Sequence, residues 1–304
     1  MLPEVDERRN RIREDLAPLI RGEIRCDPLT VALYATDGSL YEVAPLGVVT
    51  PRDAADVAAV VRFAASERIP LIARGAGSGL AGESLGHGLI IDFSRHMRRI
   101  EEIGTNTVRV QPGVVCSQLN RQLRLQGRYF PPDPSNAYVT TIGSMLALDA
   151  AGSHSIRIGS TRDHVESVDV VLASGQCATL RREQLSGKGM PLPAGLPAAG
   201  SAEAPSATEQ PVETLLENLA SLLERSQQLI DRWQPPMIRN RCGYYLRGVL
   251  SNGSLDMPRL LVGSEGTLAL FTAATLHTMP LPAHRGVVLL VFPQLELAVR
   301  AVQE

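Results

Sequence analysis

Apolar residues switch between helical and strand spacing along the chain, and the switches mark out the elements. Over residues 3–21, Val5, Ile12, Leu16, Leu19 and Ile20 recur among many charges, the pattern of a surface helix with one buried stripe. A loop follows, with Cys26-Asp27-Pro28 and then Thr36-Asp37-Gly38-Ser39. Residues 43–93 form one strand–helix–strand unit. VAPLGVV is extended. Thr50-Pro51-Arg52-Asp53 then opens a helix, with Thr50 as cap, Pro51 in the first turn and Asp53 as the acid of a capping box. That helix, AADVAAVVRFAASER, runs to about Arg68 and is stopped by Pro70. PLIA and GLIIDF are strands on either side of a glycine-rich loop.

Further along, RIEEI and TVRVQPG are extended, and a helix runs from about Val115 to Gln126. TTIGSMLALDAAG starts as a helix, and SVDVVLASGQCATL is a hairpin turning at Ser174-Gly175. Residues 183–211, rich in Pro, Ala, Gly and Ser, read as a flexible insertion within a domain. ETLLENLASLLERSQQLIDRW is an amphipathic helix, and PRLLVGSEGTLALFTAATLHTMP two strands around a tight turn. VVLLVFPQLELAVRAVQE begins as a strand and continues as a helix. No internal repeat is found.

Composition narrows the function classes. The chain has 304 residues, with 30 Lys+Arg against 32 Asp+Glu, a net charge of −2. That balance argues against sequence-independent nucleic-acid binding and against a polybasic membrane anchor. Hydrophobic residues make up 44% of the chain, enough for a sizeable core, while aromatics are only 4%, so the core rests on Ala, Val, Leu and Ile. Cys26, Cys116, Cys177 and Cys242 stand far apart with no C-x-x-C pair, so neither a zinc ribbon nor an iron–sulfur site is written here, and they read as reduced thiols. The charged start MLPEVDERRNRIREDL is unlike a secretory signal, and no apolar run reaches the ~20 residues of a membrane span. A cytoplasmic location is the expectation, with the surface of the inner membrane as the alternative.

The chemistry centres on Arg74-Gly75-Ala76-Gly77-Ser78-Gly79-Leu80-Ala81-Gly82. Gly77, Gly79 and Gly82 spell G-x-G-x-x-G after a strand, but the nicotinamide-dinucleotide reading fails on context. That fingerprint must open a helix, whereas Glu83-Ser84-Leu85-Gly86-His87-Gly88 is too glycine-rich for one. In a strand–loop–strand setting, successive glycines let backbone N–H groups converge on an anion, and a pyrophosphate is the natural guest. Taken alone, the loop could equally be a plain turn. Further motifs are Pro131-Pro132-Asp133-Pro134-Ser135, Thr140-Thr141-Ile142-Gly143-Ser144, Ala150-Ala151-Gly152-Ser153-His154, Gly159-Ser160-Thr161-Arg162-Asp163-His164 and Gly263-Ser264-Glu265-Gly266-Thr267-Leu268. No nucleophile elbow, P-loop or basic–aromatic interleaving is present.

In this order and at these spacings, the motifs resemble the FAD-binding (PCMH-type) domain of the vanillyl-alcohol oxidase / p-cresol methylhydroxylase superfamily. The branch they most resemble is the FAD-linked D-2-hydroxyacid dehydrogenases: D-lactate dehydrogenase, the flavin subunit of glycolate oxidase and D-2-hydroxyglutarate dehydrogenase. The resemblance covers roughly residues 43–282. It implies an α+β, two-subdomain fold. A small strand–helix–strand subdomain over about 43–95 precedes a larger mixed, mainly antiparallel sheet with helices over about 96–282, and FAD lies between them. Residues 1–42 are then a helical lead-in and 283–304 the start of a truncated cap domain.

The resemblance also implies site residues. The pyrophosphate would lie on Gly75, Ala76, Gly77, Ser78 and Gly79, flanked by Arg74 and Leu80. Asp133, Pro134, Thr141, Ile142 and Gly143 would border the flavin ring. Ala151, Gly152 and Val170 would approach the ribityl and adenine parts, and Glu265 and Gly266 would lie near the flavin. Ser78 stands where some relatives carry a flavin-linking His, which implies non-covalent FAD. His87 reads as an ordinary surface histidine, while His154 is either near the flavin or a turn cap. No metal-ligand cluster is seen. Ser144 stands where a second glycine is usual, and Leu148-Asp149 where an Asn pair is usual. A carboxylate near reduced flavin is unfavourable unless turned away or paired.

The implied activity is that of an FAD-linked oxidoreductase taking a D-2-hydroxy acid. The substrate Cα–H delivers hydride to flavin N5, a base takes the hydroxyl proton, and electrons pass on to a quinone, an iron–sulfur protein or another acceptor. The base and much of the substrate side are expected from the cap, so no catalytic residue is assigned here, and a further subunit could complete the cap. The alternative is a non-catalytic or split-subunit FAD-binding fragment. The same fold with other chemistry, such as a cell-wall reductase or an ether-lipid synthase, is disfavoured by the D-P-S and T-R-D-H segments.

Overall fold

A computed structural model describes residues 3–184, 211–234, 243–284 and 286–303, so nearly all of the expected insertion lies outside the described residues. The chain opens with helix α1 (Pro3–Leu16), strand β1 (Glu23–Arg25) and helix α2 (Pro28–Tyr34). The stripe on α1 is real but short: Ile12 and Leu16 are buried, and Leu19 beyond it is exposed. The loop expected at Cys26-Asp27-Pro28 holds α2 instead. Asp27 accepts the Thr30 N–H at 2.9 Å and Pro28 takes the first turn, an N-cap arrangement that suffices for two turns of helix.

Next come β2 (Gly47–Thr50), α3 (Ala54–Ser66), β3 (Leu71–Arg74) and β4 (Leu89–Asp92). They form a four-stranded sheet in the order β1-β2-β4-β3, parallel but for β1. The cap of α3 is Asp53, not Thr50. Asp53 accepts the N–H groups of Ala55 and Asp56, while Thr50 stays in β2, paired with Glu23. Buried Asp56 accepts the N–H groups of Arg21, Gly22 and Arg52 at 2.8–2.9 Å, which ties the segment after α1 to the start of α3.

The rest of the chain contributes β5 (Ile100–Ile103), β6 (Thr107–Val110), α4 (Cys116–Arg124), β7 (Arg128–Tyr129), α5 (Ile142–Leu148), α6 (Ser155–Ile158), β8 (Val165–Leu172) and β9 (Cys177–Gln184). Then follow α7 (Val212–Arg225), α8 (Gln227–Trp233), β10 (Leu250–Ser251), β11 (Ser254–Asp256), α9 (Met257–Leu261), β12 (Ala269–His277), β13 (Met279–Pro280) and α10 (Leu295–Gln303). Seven of these strands form a sheet in the order β10-β11-β9-β8-β12-β6-β5, with every pairing antiparallel. The protein is therefore α+β, with a small mostly parallel sheet and a larger antiparallel one. Helix α3 bridges the two: Val57, Val60 and Val61 share a core with Val49 and Ile91 of the first sheet and with Val171 and Leu270 of the second. Arg62 adds a hydrogen bond to the Gly175 carbonyl in the β8–β9 turn, at 3.0 Å.

Three expectations are corrected. The amphipathic helix over 213–233 breaks at Ser226 into α7 and α8. PRLL is helical, because Asp256 caps the Arg259 N–H at 3.0 Å and Pro258 sits in the first turn. Residues 287–292 pair with nothing among the described residues and form no strand. Val287, Val288, Leu289 and Val291 are all more than four-fifths exposed. Among the described residues, no helix is long and apolar enough to cross a membrane.

Candidate functional site

A cleft opens where the two sheets meet. Its first wall is the end of β3 and the loop after it, which turns through bends rather than a helix and reaches β4 at Leu89. Gly77 sits at φ +63°, a conformation that favours glycine. Among the described residues, no acceptor takes the N–H groups of Gly75, Ala76, Gly77, Ser78 or Gly79, so this stretch presents unsatisfied backbone donors. The second wall is α5. Thr141 caps it by accepting the Ser144 N–H, and the two hydroxyls lie 3.0 Å apart. A Cβ on Gly75 would overlap both hydroxyls, so only glycine lets the loop come this close. Gly143 is equally tight: its N–H donates to Pro112 at 2.7 Å, and an added Cβ would lie 2.7 Å from Pro112 Cβ.

The third wall is the turn at 263–266 and the start of β12. Gly263 and Glu265 donate to the carbonyls of Leu146 and Ala147, which fastens this turn to α5. The turn needs φ +54° at Glu265 and +76° at Gly266. The cleft has two adjoining lobes that share Ala73, Gly75, Ser144 and Ala147. One is lined by the glycine loop, Glu83 and Asn136; the other by Phe93, Pro112 and Phe271.

Of the residues expected at the site, Arg74, Gly75, Gly77, Ser78, Gly79, Thr141, Gly143, Glu265 and Gly266 line this cleft. The Arg74 guanidinium points away from it. It lies 5.0 Å from the Tyr34 ring centroid and donates to the Thr36 carbonyl at 2.9 Å. Behind it, Tyr34 donates to buried Asp92 at 2.6 Å, and burial together with that carboxylate pushes the phenol up to about 12. Ala76 and Leu80 are exposed on the loop. Ile142 and Val170 are not on the cleft surface; both belong to the core of the larger sheet. Pro134 and Ala151 line neither lobe.

Asp133 and Gly152 meet each other instead. They pack so closely that a Cβ on Gly152 would overlap the Asp133 carbonyl. Asp133 also contacts His154 Nδ1, and both line a wider depression shared with Tyr129, Phe130 and Tyr138. His154 is thus a carboxylate-paired residue whose side chain is 72% exposed. Among the described residues, no group of three or more His, Cys, Asp or Glu is placed to hold a metal ion.

Asp149 resolves the expectation that a carboxylate here must be turned away or paired. It ends α5 at φ +50° with only 4% exposure. Its Oδ2 lies 2.9 Å from Arg162, and its Oδ1 accepts the Arg162 N–H at 2.9 Å. Arg162 in turn donates to the Val262 carbonyl and lies over the Tyr245 ring at 4.5 Å. Burial pulls this guanidinium below its ordinary range, and Asp149 opposes the shift. The carboxylate faces Arg162, and its neighbours Leu148 and Ala150, not Asp149, line the cleft.

Sequence reasoning missed Glu83, Asn136 and Ser84. Glu83 folds back over the loop, accepting the Ala81 N–H at 3.1 Å and crowding Gly79. Asn136 donates to Ser78 at 3.1 Å. The acid after L-A-G was the available signal for Glu83; Asn136 arrives through a tertiary contact that no local pattern announces.

Residues 45–181 match the FAD binding domain family. The chain is 37% identical over 273 residues to a D-2-hydroxyglutarate dehydrogenase of Pantoea ananatis, an alignment covering 88% of this chain and 25% of that protein. It is 25% identical to the glycolate oxidase subunit GlcD of Bacillus subtilis, covering 90% of this chain and 45% of that one. Among solved structures, an alkyldihydroxyacetonephosphate synthase superposes with a TM-score of 0.61 over 100% of this chain and 46% of its own, at 20% identity, a likeness of fold. The chain thus spans about a quarter of the length of the D-2-hydroxyglutarate dehydrogenases it matches.

Proposed function

We propose, from the premise that residues 45–181 belong to the FAD binding domain family, that this chain holds FAD non-covalently in the cleft between its two sheets and is the cofactor-bearing part of an oxidoreductase acting on a D-2-hydroxy acid. The observation that carries the reading is the run of unpaired N–H groups from Gly75 to Gly79, in a loop whose Gly75, Gly77, Ser78 and Gly79 line the cleft opposite the short side chains of Ser144 and Ala147. That surface fits a diphosphate, which needs donors and room for close approach. When bound, FAD accepts the hydride from the substrate carbon. The chain's own residues bind and orient. The loop amides take the diphosphate, Asn136 holds Ser78 in place, and Thr141 and Ser144 keep α5 against Gly75. D-2-hydroxyglutarate, glycolate and D-lactate are the candidate substrates, because the relatives act on 2-hydroxy acids of this kind. Electrons leave to a quinone, an iron–sulfur protein or another acceptor.

A second reading, a split-subunit or non-catalytic FAD-binding part, is favoured by the exposed apolar run Val287–Val291, a surface suited to a covering partner. Both readings are tested by the visible spectrum of the purified chain and by identifying the cofactor released on heating. FAD near one per chain is expected, and a colourless chain that takes up no added FAD would overturn both. Bleaching of the flavin by one of the three acids separates catalyst from passive binder.

Glu83 opposes the guest. Its carboxylate lies over the loop where a diphosphate would sit, and like charges at that range repel. Glu83→Gln is therefore expected to tighten FAD binding several-fold and to weaken the dependence of Kd on salt. Weaker binding by the variant would mean that the carboxylate instead accepts hydrogen bonds from the cofactor.

A further inference from the structure

The segment Thr36-Asp37-Gly38-Ser39 lies behind the glycine loop, on the side away from the cleft, and is joined to it along its length. At the start of the loop, Arg74 donates to the Thr36 carbonyl at 2.9 Å. In the middle, the Gly38 N–H donates to the Gly77 carbonyl at 2.9 Å. At the end, Ser84 donates to Asp37 Oδ2 at 2.9 Å, while the other oxygen of Asp37 accepts the Ser39 N–H at 2.8 Å. Packing is as close as the bonding. A Cβ on Gly38 would lie 2.7 Å from the Gly79 carbonyl and 3.1 Å from that of Ser78, and one on Gly82 would lie 2.8 Å from Tyr41 Cδ2.

These contacts have a common geometric effect. A glycine-rich loop without ladder partners has many accessible conformations, and a binding loop that must be ordered by its ligand loses affinity in proportion. Here the carbonyl of Gly77 is held from behind, as are both ends of the loop. With the carbonyl side of Gly77 bonded to the segment, the amides of Gly75 to Gly79 remain free for the cleft.

We propose that residues 36–39 are a positioning brace that pre-orders the glycine loop for the diphosphate of the cofactor, with Asp37 its central residue. The inference rests on the reading of the cleft as an FAD site. Asp37 does not itself line the cleft and acts through Ser84, which does, and through Ser39. Hydrogen bonds from Ser39 and Ser84 and the nearby Arg74 charge, against the effect of burial, hold its carboxyl below the usual range, so it is an anion and a strong acceptor at neutral pH.

The test compares ligands with and without a diphosphate. Kd values for FAD, ADP and riboflavin are measured on the full chain by fluorescence and calorimetric titration, for the unaltered protein, Asp37→Ala, Asp37→Asn and Gly38→Ala. Losing a charge-assisted hydrogen bond corresponds to roughly tenfold or more in an equilibrium constant. Asp37→Ala is expected to weaken FAD and ADP by about that factor while leaving riboflavin and the urea midpoint of the ligand-free chain near their original values. Asp37→Asn, which keeps an acceptor for Ser39 and Ser84, should recover most of the loss. Gly38→Ala keeps the Asp37 bonds but pushes the Ser78 and Gly79 carbonyls toward the cleft, and should give the same selective loss. Equal weakening of riboflavin, or no change for ADP, would overturn the brace. An unaltered chain that binds neither FAD nor ADP would overturn the cofactor reading and the brace with it.

Discussion

Asp149→Ala is expected to cost about 3–5 kcal/mol of stability, the range for removing one partner of a buried ion pair. The cost comes from what stays behind. The Arg162 side chain is only 8% exposed, and without Asp149 it keeps the Val262 carbonyl, the Tyr245 ring and the more distant attraction of Asp163. The backbone adds to the penalty, since Asp149 sits at φ +50°, which alanine tolerates less well than Asp or Asn. Urea denaturation of the FAD-free chain measures the loss. Asp149→Asn should recover part of it by keeping an acceptor for the Arg162 N–H and a side chain suited to the left-handed conformation. Asp149→Leu with Arg162→Met should fall well short of the sum of the single effects, because it removes both charges together. A loss under about 1 kcal/mol for Asp149→Ala would mean that water reaches Arg162 and that the pair is not the anchor between α5 and the 262–265 turn.

Gly152→Ala is the second large effect. The added methyl would overlap the Asp133 carbonyl, a backbone group that cannot swing aside as a long side chain can. Overpacking of this kind costs ~1–3 kcal/mol. The displaced segment runs from Asp133 to Asn136 and Thr140, which line the cleft, so FAD affinity should fall by roughly tenfold or more as well. Titration with FAD reads one effect and urea denaturation the other. Gly286→Ala, where the methyl meets nothing within 4 Å, is the control expected to change neither. A Gly152→Ala chain with unchanged affinity would separate the Asp133 segment from the cofactor site.

Three of the four strands of the first sheet were legible because their signals are local and agree, whereas β1 fell in the stretch read as a loop. β2, α3, β3 and β4 follow a strand run, a thirteen-residue helical stripe and two apolar runs divided by glycines. What escaped was set by single side chains or by distant partners. Helices α2 and α9 are too short for periodicity to register, and each depends on one Asp–Pro cap. The run VVLLVF has strand composition, yet a strand exists only where a second backbone completes its ladder, and none of the described residues does so for 287–292. At the site, the glycine loop stood out because only glycine can serve there. Val170 could have been placed by alternation alone: with Val168 it faces the core of the larger sheet. The pairing of Asp149 with Arg162 could not, since it depends on the left-handed turn that ends α5.

Strand β12 comes after all the other long strands among the described residues, yet it lies between β8 and β6 near the middle of the larger sheet. During vectorial synthesis, β6 and β8 therefore wait with open edges until residues 269–277 emerge. Over that interval the cleft also lacks its third wall, Glu265 to Phe271, so the nascent chain has half a binding site and two templates for wrong pairing. Cofactor capture thus waits until residues 265–277 have emerged, and supply of the cofactor acts after that point rather than guiding the folding of the segments before it.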